Sequence, residues 1–164
     1  MGEWDKSLEE YVIGTGGVAA GLAQGSDGVI YAAAPQKDEA GWAAIFKEPH
    51  EEDILQEDGE TTKKMLIDES KGLKHVVETG SAPEGGFWLG GKKYQITRRE
   101  LDYEEGDYKY VWISAGAPGD KGAQIVKSGS QIVVSLFDKE AGVSPGNCKK
   151  AVLDFGKYLQ DEGY

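Results

Sequence analysis

The sequence predicts an α+β fold in which helices pack on a central antiparallel β-sheet of about six to seven strands. An amphipathic helical pattern stands at each end of the chain, and β-branched and aromatic segments fill its second half. Short glycine-bearing connections separate most of these segments, which favours antiparallel neighbours because parallel strands need long crossovers. The 164 residues suit one globular domain, and we expect a single domain over residues 1–164.

The composition argues against several classes of function. The formal net charge of −11 disfavours nucleic acid and tight binding to anionic membranes, because both are negatively charged. The lone cysteine, Cys148, cannot form an internal disulfide, which suits a reducing compartment. The acidic N-terminus has no apolar stretch behind it, and no apolar run approaches transmembrane length. We therefore expect a cytoplasmic protein.

The first helix is predicted at residues 3–13, where Trp4, Leu8 and Tyr11 fall on one stripe. Glycines from Gly14 onward end it. They follow a helix and open a strand, so they do not form a dinucleotide-binding motif, which needs the reverse order. The further elements predicted before residue 80 are strands at 18–24 and 29–34, a short helix at 39–47, and a helix from Asp68 or Ser70 to Thr79.

An acidic segment interrupts this pattern at residues 50–60. Asp58-Gly59 is a favourable tight-turn dipeptide, and apolar residues lie on both sides of it. The segment therefore predicts a projecting acidic β-hairpin at about 53–67.

The second half of the chain predicts strands and a final helix. We expect the acidic segment Leu101–Asp107 to be an exposed link between strands. Ser144 and Pro145 suit the N-cap and first position of the last helix, and Cys148 lies on its apolar stripe as a core residue. The predicted strands are 87–89, 94–96, 108–113, 124–126 and 131–137.

No catalytic constellation stands out. His50 and His75 lack a second ligand at metal spacing, and we expect both to be solvated surface side chains. We expect no enzymatic activity, no metal and no cofactor. An enzyme or small-ligand sensor on a similar sheet remains an alternative, and it predicts a closed apolar pocket with convergent polar groups.

Four stretches of the chain span it essentially from end to end: the Trp4 helix, 27–32, 87–96 and 144–164. In their order and register they resemble the profilin family. The acidic segment at 50–67, the stretch 80–83 and the link at 100–107 resemble the apicomplexan-parasite form of the family. The resemblance implies that the N- and C-terminal helices cover one face of the sheet and the short helices the other.

The resemblance also implies a site for proline-rich segments of formin-type partners between the terminal helices. Aromatic side chains suit such segments because they stack on proline rings and donate hydrogen bonds to free carbonyls. Tyr11 replaces a second aromatic that many profilins carry at the position of Ser7. On the residues alone, Trp4 and Tyr31 are equally consistent with core aromatics. The matching positions are Trp4, Tyr11, Tyr31, Tyr158 and Tyr164.

The resemblance further implies a one-to-one complex with monomeric actin, which controls filament assembly. It thereby implies association with the cytoskeleton. Basic side chains suit a partly acidic actin surface, although a solvated strand edge protected by lysines is the alternative on the residues alone. The matching positions are Lys93, Gln95, Arg98, Gly146, Lys149 and Lys150.

Weak phosphoinositide binding is a third expectation, and the net charge opposes it. The alternative function on the same fold is a proline-peptide or phosphoinositide-binding adaptor with little actin activity. In either case we expect a monomer. The candidate phosphoinositide residues are Lys92, Lys93, Arg98 and Arg99.

Overall fold

The computed structural model describes residues 3–164. Within that range the chain forms four α-helices and nine strands, with short 3₁₀ turns at Lys37–Glu39 and Lys139–Ala141. The helices are α1 (Glu3–Tyr11), α2 (Ala40–Ile45), α3 (Glu69–Thr79) and α4 (Pro145–Asp161). The strands are β1 (Ala19–Gln24), β2 (Ile30–Ala34), β3 (His50–Leu55), β4 (Thr62–Ile67), β5 (Phe87–Leu89), β6 (Lys92–Glu105), β7 (Tyr108–Ala117), β8 (Lys121–Ser128) and β9 (Gln131–Asp138).

Seven of these strands form one antiparallel sheet in the order β2-β1-β9-β8-β7-β6-β5. Strands β3 and β4 pair only with each other, as a separate hairpin. The predicted α+β fold with a central antiparallel sheet is therefore confirmed. No helix in the described part of the chain is long and apolar enough to cross a membrane.

The sheet has a hydrophobic core on each face. Alternate residues of a strand point to opposite faces, so Val133 and Val134 of β9 belong to different cores. Val133 packs in the core that holds residues of α1 and α4, such as Leu8. Val134 packs in the core that holds residues of α2 and α3, such as Ile45 and Leu73. The terminal helices thus share one face, as expected, and the short helices cover the other.

Helix α4 begins and packs as its sequence predicts. The Ser144 hydroxyl accepts a hydrogen bond from the Asn147 backbone N–H at 3.1 Å, which satisfies one donor of the first turn. Cys148 is fully buried, which confirms it as a core residue. Gly156 lets the helix approach the sheet, because a Cβ there would lie only 3.1 Å from the Ser128 Cβ.

The predicted link at 101–107 is wrong, because the chain stays extended there. Strand β6 continues to Glu105, and only Gly106-Asp107 connects it to β7. Acidic residues have low strand propensity, which hid the strand in the sequence. They are tolerated because the flanking glutamates are exposed while Tyr103 pairs with Tyr110 across the two strands.

The acidic hairpin starts three residues earlier than predicted, at His50. The expectation of a solvated His50 is also wrong, because its side chain is only 9% exposed. The His50 ring contacts the carboxylates of Glu52 at 2.7 Å and Glu69 at 3.1 Å, and it lies edge-on to Trp88. The imidazole is buried because it lies where the base of the hairpin meets α3 and β5.

Candidate binding surfaces

Aromatic side chains from both terminal helices meet on one surface. The Trp4 ring lies 6.3 Å from Tyr158 and 5.2 Å from Tyr164, between centroids, and Tyr11 lies 6.5 Å from Tyr158. We call these four residues the aromatic surface. Tyr11, Tyr158 and Tyr164 are 65%, 41% and 47% exposed, which is unusual for large aromatic side chains that could pack inside.

The helices position this surface through buried neighbours. Trp4 and Tyr11 lie two turns apart on α1, while Leu8 between them is fully buried against the sheet. Phe155 of α4 is buried beneath the surface, with its ring centroid 6.3 Å from Trp4. Tyr164 is held by its own backbone N–H, which donates to the Leu159 carbonyl at 2.9 Å.

Tyr31 lies next to this surface, but its side chain is more buried and its hydroxyl is hydrogen-bonded within the chain. It is partly buried, and its hydroxyl donates to the Gln131 side-chain carbonyl at 2.6 Å. Burial, and secondarily the charge of Tyr164, raises the pKa of Tyr31 to about 12. The Tyr31 hydroxyl is therefore protonated at neutral pH and already engaged within the chain.

An open groove of about 360 Å³ runs between α1 and α4 beside the aromatic surface. We call it the aromatic groove. Its walls are apolar or aromatic except for the carboxylate of Asp154. The lining residues are Tyr11, Ala151, Asp154, Phe155 and Tyr158.

A second surface gathers cations over aromatic rings. The Lys149 ammonium lies 3.8 Å from the centroid of the Trp112 ring and 4.9 Å from that of Tyr103. The guanidinium carbon of Arg98 lies 5.0 Å from the Trp112 centroid. We call Arg98, Tyr103, Trp112 and Lys149 the basic face. Cations at these distances are attracted to the negative face of an aromatic ring, which orients both side chains.

A β-bulge places Arg98 on this face. Gln95 pairs with Gly116 and Arg98 with Ser114, so β6 carries one more residue than β7 over this interval. Without the extra residue, strand alternation would turn Arg98 to the opposite side of the sheet.

Buried hydrogen bonds hold the Trp112 ring from below. The indole N–H donates to the Gln124 side-chain carbonyl at 2.7 Å, and the Gln124 amide donates to the Ser114 hydroxyl at 2.8 Å. Sequence reasoning missed Tyr103, Trp112 and Gln124 as parts of the site. Trp112 falls in a predicted strand and Tyr103 in the predicted link at 101–107, and neither pattern indicates a binding role. A buried glutamine has no local sequence signature.

The residues predicted to bind actin are only partly brought together. Arg98 and Lys149 meet over Trp112, whereas Gly146 and Lys150 line an adjoining groove with Tyr103 and Lys149. The Lys150 ammonium donates to the Asp154 carboxylate at 2.6 Å. The other two predicted residues, Lys93 and Gln95, precede Arg98 on the same strand, toward the β5 edge of the sheet.

The four candidate phosphoinositide residues do not form one patch. Arg99 faces α3, where its guanidinium donates to the Gly80 carbonyl at 2.9 Å, whereas Arg98 lies on the basic face. Lys92 and Lys93 line an open groove of about 620 Å³ with Lys121. The set is therefore divided between the two sides of the sheet.

The protein is thus a small antiparallel-sheet domain that offers two candidate binding surfaces, the aromatic surface between its terminal helices and the basic face on its strands. Solved structures with this fold include profilin IB of Acanthamoeba castellanii, with a TM-score of 0.63 and 17% identity, covering 99% of this chain and 100% of that one. Rat profilin 2a has a TM-score of 0.61 and 18% identity, covering 98% of this chain and 96% of that one.

Sequence comparison identifies the family. The sequence model of the profilin family matches residues 2–164. A profilin of Plasmodium falciparum is 36% identical over 165 residues, covering 96% of this chain and 95% of its own length. A profilin of Plasmodium berghei is 33% identical over 165 residues, covering 95% and 92%. The chain belongs to the profilin family, in its apicomplexan form, and is therefore an actin-binding regulator of actin assembly.

Proposed function

We propose that this chain binds one actin monomer through the basic face and proline-rich segments of formin-type partners through the aromatic surface, in the cytoplasm. The observation that carries the proposal is the meeting of Arg98 and Lys149 over Trp112. These residues come from β6, α4 and β7, so only the folded chain assembles them.

The basic face suits an acidic partner although the whole chain is acidic. A net charge of −11 repels an acidic protein at long range, so attraction must come from a local cluster of cations. Contact with Trp112 holds the Lys149 ammonium in place and lowers the entropy that it loses on binding. Charge-assisted hydrogen bonds from Arg98 and Lys149 to carboxylates would then contribute affinity.

The aromatic surface suits a polyproline II helix. Such a helix presents flat apolar rings, and its carbonyls are free to accept hydrogen bonds. The exposed rings of Tyr11, Tyr158 and Tyr164 offer stacking area and hydroxyl donors. The Tyr31 hydroxyl already donates to Gln131, so we assign Tyr31 a supporting role at the edge of this surface.

Titration with monomeric actin tests the actin site. We expect slower filament assembly that saturates near one chain per actin, and a loss of affinity of about tenfold or more in Lys149→Glu, because like charges in an interface repel. Lys109→Glu is the matched control, since Lys109 is 81% exposed and pairs with Glu104 outside the basic face. Equal losses in both variants, or no effect of the wild type on assembly, would reject this site.

Binding of a proline-only peptide tests the other site. Tyr158→Ala should weaken the peptide at least severalfold and leave the effect on actin assembly intact, because a stacking surface is lost without changing the basic face. Tyr103→Ala should weaken the effect on actin assembly and leave peptide binding intact. Peptide binding without any effect on actin assembly would instead support the adaptor alternative.

A further inference from the structure

We infer that Asp154 makes the aromatic groove selective for proline-rich segments that carry a lysine or arginine beside their prolines. This inference rests on the proposed function of the aromatic surface. It goes further by naming the chemistry next to the prolines and the residue that recognises it.

The aromatic groove has one charged residue in an otherwise apolar and aromatic lining. Of its five lining residues, Asp154 alone is charged, and the others are aromatic or small and apolar. A proline tract offers nothing cationic, so the carboxylate gains no partner from prolines alone. A lysine or arginine at one end of the tract would form a charge-assisted hydrogen bond with Asp154 while the prolines stack on Tyr11 and Tyr158.

The carboxylate is available to a ligand. Its side chain is 65% exposed. Lys150 donates to one oxygen, Oδ2, and no other described group donates to Asp154. The Lys150 side chain is itself 75% exposed, and an exposed pair one helical turn apart contributes little stability, so a ligand cation can share or replace it at small cost.

Helix geometry sets the position of the cation. Asp154 lies one turn before Tyr158 on α4, and one turn rises about 5.4 Å. A polyproline II helix advances about 3.1 Å per residue. For a peptide whose axis runs along α4, the cationic residue should therefore lie about two positions from the proline that stacks on Tyr158, on either side of it.

Peptide binding tests the inference. The reference peptide is octaproline with an acetylated N-terminus and an amidated C-terminus. Two further peptides carry a short segment with Lys, one at the N-terminal end and one at the C-terminal end. Two matched peptides carry Glu in place of Lys. We expect the better of the two Lys peptides to bind about two- to fivefold more tightly than octaproline at low salt, because exposed ion pairs contribute little. The preference should vanish near 1 M salt, where screening acts within about 3 Å.

Two variants separate Asp154 from the general acidity of the chain. Asp154→Asn should abolish the preference for the Lys peptide and keep octaproline binding. Glu57→Gln changes the net charge equally at the exposed hairpin turn, and it should keep the preference. The inference is overturned, while the proposed proline site stands, if the wild type binds octaproline and the Lys peptides equally well. The same holds if the preference for Lys peptides survives in Asp154→Asn. Failure to bind any of the peptides overturns the proposed proline site as well.

Discussion

Among single residues, Glu69 joins segments that are distant in the sequence. The residue is only 3% exposed. Its carboxylate accepts hydrogen bonds from the backbone N–H groups of Lys47 at 2.9 Å, Gly90 at 2.7 Å and Gly91 at 2.7 Å. The His50 ring completes the cluster at 3.1 Å. One side chain thus links the end of α2, the base of the acidic hairpin and the β5–β6 turn.

Replacing Glu69 should destabilise the fold strongly. Glu69→Ala leaves three backbone donors without their acceptor, and we expect the free energy of unfolding to fall by about 3 kcal/mol. Chemical denaturation measures this loss. Glu78→Ala is the control, because Glu78 is 49% exposed and forms an exposed ion pair with Lys74, so its cost should stay below about 0.5 kcal/mol. Similar costs for both variants would show that the Glu69 cluster contributes little.

Cys148 gives the fold a pH dependence. Burial raises the pKa of the thiol from 9.0 to about 11, outweighing the hydrogen bonds with Ser135 and Gln124 that lower it. The folded chain therefore holds this proton more tightly than the unfolded chain, and the associated stability is present below pH 9 and lost as pH rises toward 11.

Comparison with Cys148→Ala isolates this contribution. The stability difference between wild type and Cys148→Ala should shrink between pH 9 and about 11, measured by denaturation at each pH. The buried tyrosines Tyr31, Tyr94 and Tyr110, whose pKa values are raised to about 12, titrate equally in both proteins and cancel. A difference that stays constant over this range contradicts the assignment.

At the scale of elements, α4 is shared by both binding surfaces. Lys149 lies near its start and Tyr158 near its end, about 13 Å apart along the axis. Asp154 lies between them and lines the grooves on both sides. One helix therefore carries residues of both candidate surfaces.

The cap of α4 can be tested separately. Ser144→Ala removes the acceptor for the Asn147 N–H and should lower the free energy of unfolding by about 1 kcal/mol. Ser144→Asp keeps an acceptor at the cap and places negative charge at the helix N-terminus, so it should retain most of the stability. Thermal or chemical unfolding of the wild type and the two variants measures these changes. An unchanged free energy of unfolding in Ser144→Ala would mean that water replaces the cap.

For the whole molecule, we expect both proposed partners to bind together, because the basic face and the aromatic surface share no residue. A labelled proline peptide bound to the chain should show a further rise in fluorescence anisotropy when monomeric actin is added, because the complex becomes larger. Joint binding would raise the local concentration of actin at a polymerising partner. Displacement of the peptide by actin would instead show that the two sites overlap.

Much of the fold could be predicted because its signals are local. Ser144 and Pro145 start α4, Gly14 follows the end of α1, and Asp58-Gly59 turns the hairpin, each through the conformational preference of its own residues. Side-chain periodicity identified Cys148 as a core residue. The surface that Trp4 and Tyr158 form was indicated by the family resemblance and not by the aromatic positions alone, because exposed and buried aromatic residues leave the same mark in a sequence.

The sequence by itself determined the order of helices and strands, the α+β class and the family, because these depend on residues close in the chain or on patterns along it. Tertiary structure alone decided that Arg98 and Lys149 meet over Trp112, that Glu69 collects three distant backbone donors, and that 101–105 is a strand. Each of these depends on strand register, a one-residue bulge or contacts between distant segments, and such long-range geometry leaves no local pattern.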